Sequence, residues 1–141
     1  MGAAAARVKE VKIGHVAVSV VDLDRSISFY RRICGLVCKK KYRHPEIGLT
    51  IALLKKGDCA LELFAFKKHI PLPKYRKTLD SDLRTLGVKH FSVESADIES
   101  AYKKLKKAKV RFATGLRVFD DGKRYFFIKD PDGALIEVME G

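Results

Sequence analysis

The sequence predicts an α+β fold made of two tandem copies of one unit, each a strand, a helix and then further strands. Three observations carry that prediction. The run IGHVAVSVVDL, residues 13–23, alternates Val16, Val18 and Val20 with His15, Ala17 and Ser19, the period-two pattern of a half-buried strand. An aspartate then opens an apolar stripe of helical spacing, and the same order returns in the second half. Finally, the chain matches itself at a shift of 75 residues without a gap, so that His15 falls on His90, Asp22 on Asp97 and Leu61 on Ile136. Glu62 in CALELFAF falls on Glu137 in GALIEVME, and the His-to-Glu separation is 47 residues in both halves. Self-similarity on this scale marks a duplicated supersecondary unit.

The elements follow in order. A strand is expected over 12–20, then a helix capped by Asp22 and running through Arg32, with Leu23, Ile27, Tyr30 and Ile33 on its inner stripe. Arg31 and Arg32 suit its last turn and Gly35 its end. Strands over 36–42, 49–54 and 60–66 complete the module, with HPEIG as a turn and KKGD as a hairpin connection. The two-proline stretch 67–86 reads as a linker with a short helix near 75–86. In the second module a strand spans 88–93, and Asp97 caps a helix with Ile98, Ala101, Tyr102, Leu105 and Ala108 inward. A short strand near 111–113 and two final strands joined by DPDG follow; proline presets one turn dihedral and glycine accepts the positive one. The organisation is therefore a lead-in over 1–11 and a single domain over 12–139, comprising module one (12–66), the linker (67–86) and module two (87–139).

Composition narrows the class. A hydrophobic content of 47% supports a packed core, and no apolar run is long enough to span a membrane. MGAAAARVKE has neither the pattern of a secretory signal nor a serine or threonine at position 6 for myristoylation, so a cytoplasmic protein is expected. Cys34, Cys38 and Cys59 lack zinc-pair spacing and read as reduced thiols. The net charge of +12 arises from short lysine clusters without an RNA-binding or zinc-finger motif. No nucleic-acid partner is expected, whereas anionic small molecules benefit from the field.

Parity then selects a candidate site. His15, Glu62, His90 and Glu137 all point away from the branched stripes that pack on the helices. If the two sheets form one curved surface, the four converge in its groove. Two imidazoles and two carboxylates suit one divalent metal ion with places left for water or substrate. Ala17, Ser19, Phe64 and Phe66 share that face and are the expected substrate pocket, more apolar than a tripeptide needs. His44 and Glu46 are secondary candidates at the mouth.

HVAVSVVDLDRSISFYRRICGL, LELF, VKHFSVESADIESAYKKLKKAKV and FFIKDPDGALIEV together resemble the vicinal oxygen chelate superfamily, the glyoxalase and bleomycin-resistance fold, over residues 12–139. The resemblance implies paired βαβββ modules forming a curved mixed sheet. Within it, the His, Glu, His, Glu quartet is similar to the metal set of glyoxalase I and near that of methylmalonyl-CoA epimerase. It implies one nickel, cobalt, manganese or zinc ion per site, held by His15, Glu62, His90 and Glu137. The implied function is that of a lyase or isomerase that abstracts a proton next to a carbonyl of a small 2-oxo or thioester substrate, with Glu137 or Glu62 as base. An epimerase-like isomerase and a non-catalytic, resistance-type binding protein are the alternatives. Glyoxalase I usually carries arginine and asparagine for glutathione where this chain has Ser19 and Phe66, so weak or no turnover of the glutathione adduct of methylglyoxal is expected. Epimerases usually carry another sequence at the DPDG turn. Family members of this length are commonly homodimers, and exposed sheet edges favour the same assembly here. The four ligands then come from one chain or are shared by two.

Overall fold

The computed structural model describes residues 8–141. The start of the lead-in, including Gly2 and position 6, lies outside the described residues. Each module closes its own mixed sheet. In the first, β1 (Val16–Ser19) pairs in parallel with β4 (Cys59–Phe66), which continues antiparallel to β3 (Leu49–Lys56) and then β2 (Val37–His44). In the second, β5 (Phe91–Ser95) pairs in parallel with β9 (Leu135–Glu140), followed by β8 (Arg124–Lys129) and β6 (Arg111–Phe112). The parallel registers repeat the 75-residue shift, Ala17 facing Glu62 and Ser92 facing Glu137.

Local chemistry fixes the helices. α1 (Leu23–Cys34) starts where the Asp22 carboxylate accepts from Arg25 N–H and stops at Gly35, whose φ of 68° is the left-handed value a glycine reaches without strain. α3 (Ile98–Lys107) starts in the same way on Asp97, which accepts from Ser100 N–H. Between the modules, the expected short helix is the six-residue α2 (Leu79–Arg84), capped by Thr78.

Several boundaries differ from expectation. His15 and His90 precede β1 and β5 rather than lying within strands that start at 12 and 88. Alternation encodes extended chain, but a ladder needs a neighbour, and pairing begins only at Val16 with Leu61 and at Phe91 with Ile136. HPEIG forms a 3-10 turn ending at Gly48. A further two-residue strand, β7 (Arg117–Val118), pairs with β8 across the turn FDDG, so the last stretch supplies three strands rather than two.

One core joins both modules. It includes Tyr30, Leu54 and Leu63 from the first and Ile98, Phe126 and Ile136 from the second. The DPDG turn locks them together. Asp130 is fully buried and accepts from the Tyr30 hydroxyl at 2.9 Å, while Asp132 accepts from Val21 N–H at 3.1 Å and pairs with Arg25 at 3.0 Å. Gly133 has φ +93°, and a Cβ there would lie 3.1 Å from Leu72 of the linker. Burial pushes the Asp130 carboxyl above the usual aspartate range, against the hydrogen bonds from Ala134 N–H, Tyr30 and Asp132 N–H. Module one has no such clasp: its equivalent hairpin turns in two residues, Gly57 and Asp58.

Candidate functional site

Strand parity places the four candidate ligands as the sequence predicts with respect to the core. Val16, Val18, Leu61 and Leu63 pack inward, which leaves Glu62 on the other face of β4 beside Ala17. Val93, Ile136 and Val138 do the same for Glu137. His15 and His90, one residue ahead of their strands, reach their own module's glutamate. Nε2 of His15 stands 3.3 Å from Oε2 of Glu62, and Nε2 of His90 stands 3.1 Å from Oε2 of Glu137.

The two dyads do not meet. Among the described residues, no group of three or more His, Cys, Asp or Glu side chains is placed to hold a metal ion. Convergence of all four in one groove is therefore not found within a single chain. The modules associate through α1, the DPDG turn and the shared core, and no ladder joins β1 to β5. His44 and Glu46 face one another at 3.5 Å near the surface, apart from both dyads.

The dyads differ in their surroundings. The side chains of His15 and Glu62 are 50% and 23% exposed, against 21% and 12% for His90 and Glu137. Phe127 accounts for much of this. It pairs with Glu137 across β8 and β9 and sets its ring edge-on to His90, with centroids 4.8 Å apart. Tyr125 meets Phe127 edge-on at 6.1 Å and stacks on Phe119 at 4.0 Å, extending an aromatic wall away from the dyad. None of these three aromatics is among the residues expected at the site from sequence. Their signal is the alternation in RYFFIK, which puts Tyr125 and Phe127 on one face. Among the described residues Nδ1 of His90 is buried without a partner, so packing by Phe127 rather than a second hydrogen bond orients the ring.

The donors fit a divalent ion in part. Two ligands at roughly 2.1 Å from one ion stand roughly 3.0–3.4 Å apart at angles near tetrahedral or octahedral, which is the spacing of each dyad. Each dyad thus offers one nitrogen and one oxygen as neighbouring ligands, and two dyads are needed for four.

Ala17, Ser19, Phe64 and Phe66, the expected pocket residues, all line a cleft of about 830 Å³ that also takes in His90 and part of the linker. None of the three cysteines is in a disulfide; burial pushes the Cys34 thiol up to about 11, which keeps it an unreactive thiol. No described helix is long and apolar enough to cross a membrane.

Comparison with known proteins agrees with this architecture. A family model described as the Glyoxalase/Bleomycin resistance protein/Dioxygenase superfamily matches residues 12–138. Mitochondrial methylmalonyl-CoA epimerase of Homo sapiens is 27% identical over 133 residues, covering 92% of this chain and 73% of that protein. The crystal structure of a glyoxalase family protein from Enterococcus faecalis is similar with a TM-score of 0.77 at 28% identity, covering 92% of this chain and 97% of that one. The trypanothione-dependent glyoxalase I of Leishmania major shares the fold, with a TM-score of 0.68 at 24% identity and coverage of 93% and 87%.

Proposed function

The chain belongs to the Glyoxalase/Bleomycin resistance protein/Dioxygenase superfamily, and on that premise we propose that it is a metal-dependent lyase or isomerase that moves a proton next to a carbonyl. One observation carries the reading: the same His–Glu dyad, at donor spacings of 3.3 and 3.1 Å, stands at equivalent places in both modules. His15, Glu62, His90 and Glu137 would hold one divalent ion per site. When bound, such an ion supplies a Lewis acid for a substrate oxygen. Because the dyads are separate within one chain, the reading places His15 and Glu62 of one copy against the second dyad of another copy. Both β1 and β5 are sheet edges, open to such pairing.

Glu137 is the proposed base. Its carboxylate accepts the proton from the carbon next to the carbonyl and returns it, to the same or a neighbouring position. It is the less exposed of the two glutamates, and Phe127 shields it from water. Nε2 of His90 lies 3.1 Å from its Oε2, so the two enter the site as neighbouring donors. Ala17, Ser19, Phe64 and Phe66 bind the substrate body.

Within this class, two features favour the isomerase outcome on an acyl thioester. Ser19 and Phe66 lack the side chains expected for glutathione, and the human relative is named as an epimerase. Protein purified without a histidine tag should contain one divalent ion per chain. In heavy water it should exchange the proton next to the carbonyl of a 2-methyl acyl thioester, and act weakly or not at all on the glutathione hemithioacetal of methylglyoxal. Absence of both metal and exchange would instead leave a binding protein on this fold.

Mixing two inactive chains tests the shared site. A Glu137→Gln chain and a His15→Ala chain together rebuild one intact site per dimer if ligands are shared. No intact site forms if all four come from one chain, and the proposed assembly then fails.

A further inference from the structure

We propose that Arg76, clamped by the buried carboxylate of Asp82, is an oxyanion receptor: it binds a carboxylate or phosphate group of the molecule that occupies the cleft between the modules. The inference rests on the proposed proton-transfer site in one respect, that this oxyanion belongs to the substrate, since the cleft reaches His90.

The cleft has an apolar wall, including Phe64, Phe66, Ile70 and Leu72, and a charged one. Five cationic residues line it (Arg76, Lys77, Lys89, Arg111 and Lys129) against the carboxylates of Asp82 and Asp132. Three of those cations are tied down without being neutralised. Lys89 donates to the carbonyls of Asp82 and Thr85, Lys129 to the carbonyl of Lys77, and Arg111 to the carbonyls of Asp130 and Pro131. A carbonyl accepts a hydrogen bond but carries no net charge, so the positive field persists. Asp132 is already paired with Arg25, which leaves Asp82 as the one other carboxylate among the described residues that line the cleft.

Asp82 is only 1% exposed, and its Oδ1 accepts from Nε of Arg76 at 2.9 Å. Contact through Nε fixes the guanidinium plane, and among the described residues the two terminal nitrogens make no hydrogen bond. A planar guanidinium with its fork unclaimed matches carboxylate or phosphate oxygens two at a time. Among the described residues Oδ2 of Asp82 is buried without a partner, so only one of its two carboxylate oxygens is hydrogen-bonded. A buried, half-satisfied carboxylate is a costly anchor for an arginine that serves only to solubilise a surface. Its cost is understandable where the aim of the guanidinium matters. Oxyanion binding here, away from the reacting carbon, supplies remote binding energy of the kind that orients a substrate.

The test titrates the full chain calorimetrically at low salt with inorganic pyrophosphate and, separately, with succinate. At least one of the two should bind, and the tighter names the phosphate or carboxylate source. Arg76→Ala should weaken that probe about tenfold or more. Arg76→Lys, which keeps the charge and loses the fork, should also weaken it. Lys104→Ala removes one positive charge from α3 outside the cleft and should change binding by less than about twofold, as expected for a screened surface charge. Asp82→Asn should weaken the same probe if it folds; the two Arg76 variants decide the matter if it does not. Equal weakening in Arg76→Ala and Lys104→Ala, or no binding of either probe, overturns the receptor. Metal content should be unchanged in Arg76→Ala, and its loss would place Arg76 in the metal site instead. Probe binding lost in Arg76→Ala, from a chain that holds no metal and exchanges no proton, would sink the catalytic reading and leave the receptor standing.

Discussion

The two modules carry the same pair of donors in the same register but in different surroundings. In module one, Leu53 lies across from Glu62, and His15 is half exposed. In module two, Phe127 lies across from Glu137 and also covers His90. The two modules keep the same His–Glu pair and differ in what surrounds it. Like donors therefore need not play like parts. On the proposed function, the drier dyad is the one suited to proton transfer, and the wetter one leaves the more open approach for substrate. The hairpin turns diverge in the same way. The five-residue turn of module two clasps α1, whereas the two-residue turn of module one clasps nothing comparable.

The largest effect should come from the glutamates. Glu137→Gln should lower turnover about 10²–10⁴-fold while most of the metal is retained. Glu62→Gln should lower metal content and turnover together. Parallel loss of metal and activity in Glu137→Gln would reverse the assignment and make Glu62 the base; metal analysis alongside rates separates the cases.

Next in size is the clasp. Tyr30→Phe removes a buried hydrogen bond to a carboxylate and should cost about 1.5–3 kcal/mol in denaturant unfolding. A cost near zero would mean that the clasp adds little to module docking. The turns themselves can be compared by alanine. Gly57→Ala, with φ +56° and open space around it, should cost about 1 kcal/mol. Gly133→Ala should cost more, because its Cβ also meets Leu72. Equal values would mean that Leu72 gives way at no cost.

The smallest effect concerns pH. The folded pKa of Asp130 is raised above the unfolded value, so the folded chain holds this proton more tightly. Its contribution to stability is full below about pH 3.9 and is lost as pH rises through the raised value. Asp130→Asn cannot titrate, so its stability should vary less with pH from about pH 4 upward, as urea midpoints across a pH series would register.

Much of the fold is legible in the sequence because it is local. Asp22, Gly35 and Asp97 act on backbone groups a few residues away, so both long helices can be placed from their caps. The strands are placed less well at their starts, since Lys12, Ile13 and Val88 lie in extended-looking sequence that finds no ladder partner. β7 escapes notice although Asp121-Gly122 signals a turn; Phe119 N–H donates to the Lys123 carbonyl across it. Face assignments of His15, Glu62, His90 and Glu137 follow from parity, but whether they meet does not. That depends on how α1 and the DPDG turn dock the modules, which no period in the sequence encodes. The Arg76–Asp82 pair is hidden for a related reason: only the folded linker buries Asp82.

The clasp also bears on how the chain is made. Val21 N–H, the Arg25 guanidinium and the Tyr30 hydroxyl find partners 111, 107 and 100 residues downstream. At about 5–20 residues per second, a ribosome needs roughly 6–22 s to bring Asp132 out after Val21. Once Phe66 is out, the nascent first module has the strands of its own sheet, but until the DPDG turn follows the far side of α1 lacks its cover, and Tyr30 faces no carboxylate. The first module thus finishes folding only when the DPDG turn has been synthesised, and a chain truncated before Asp130 would release a module that is paired within itself yet unsealed.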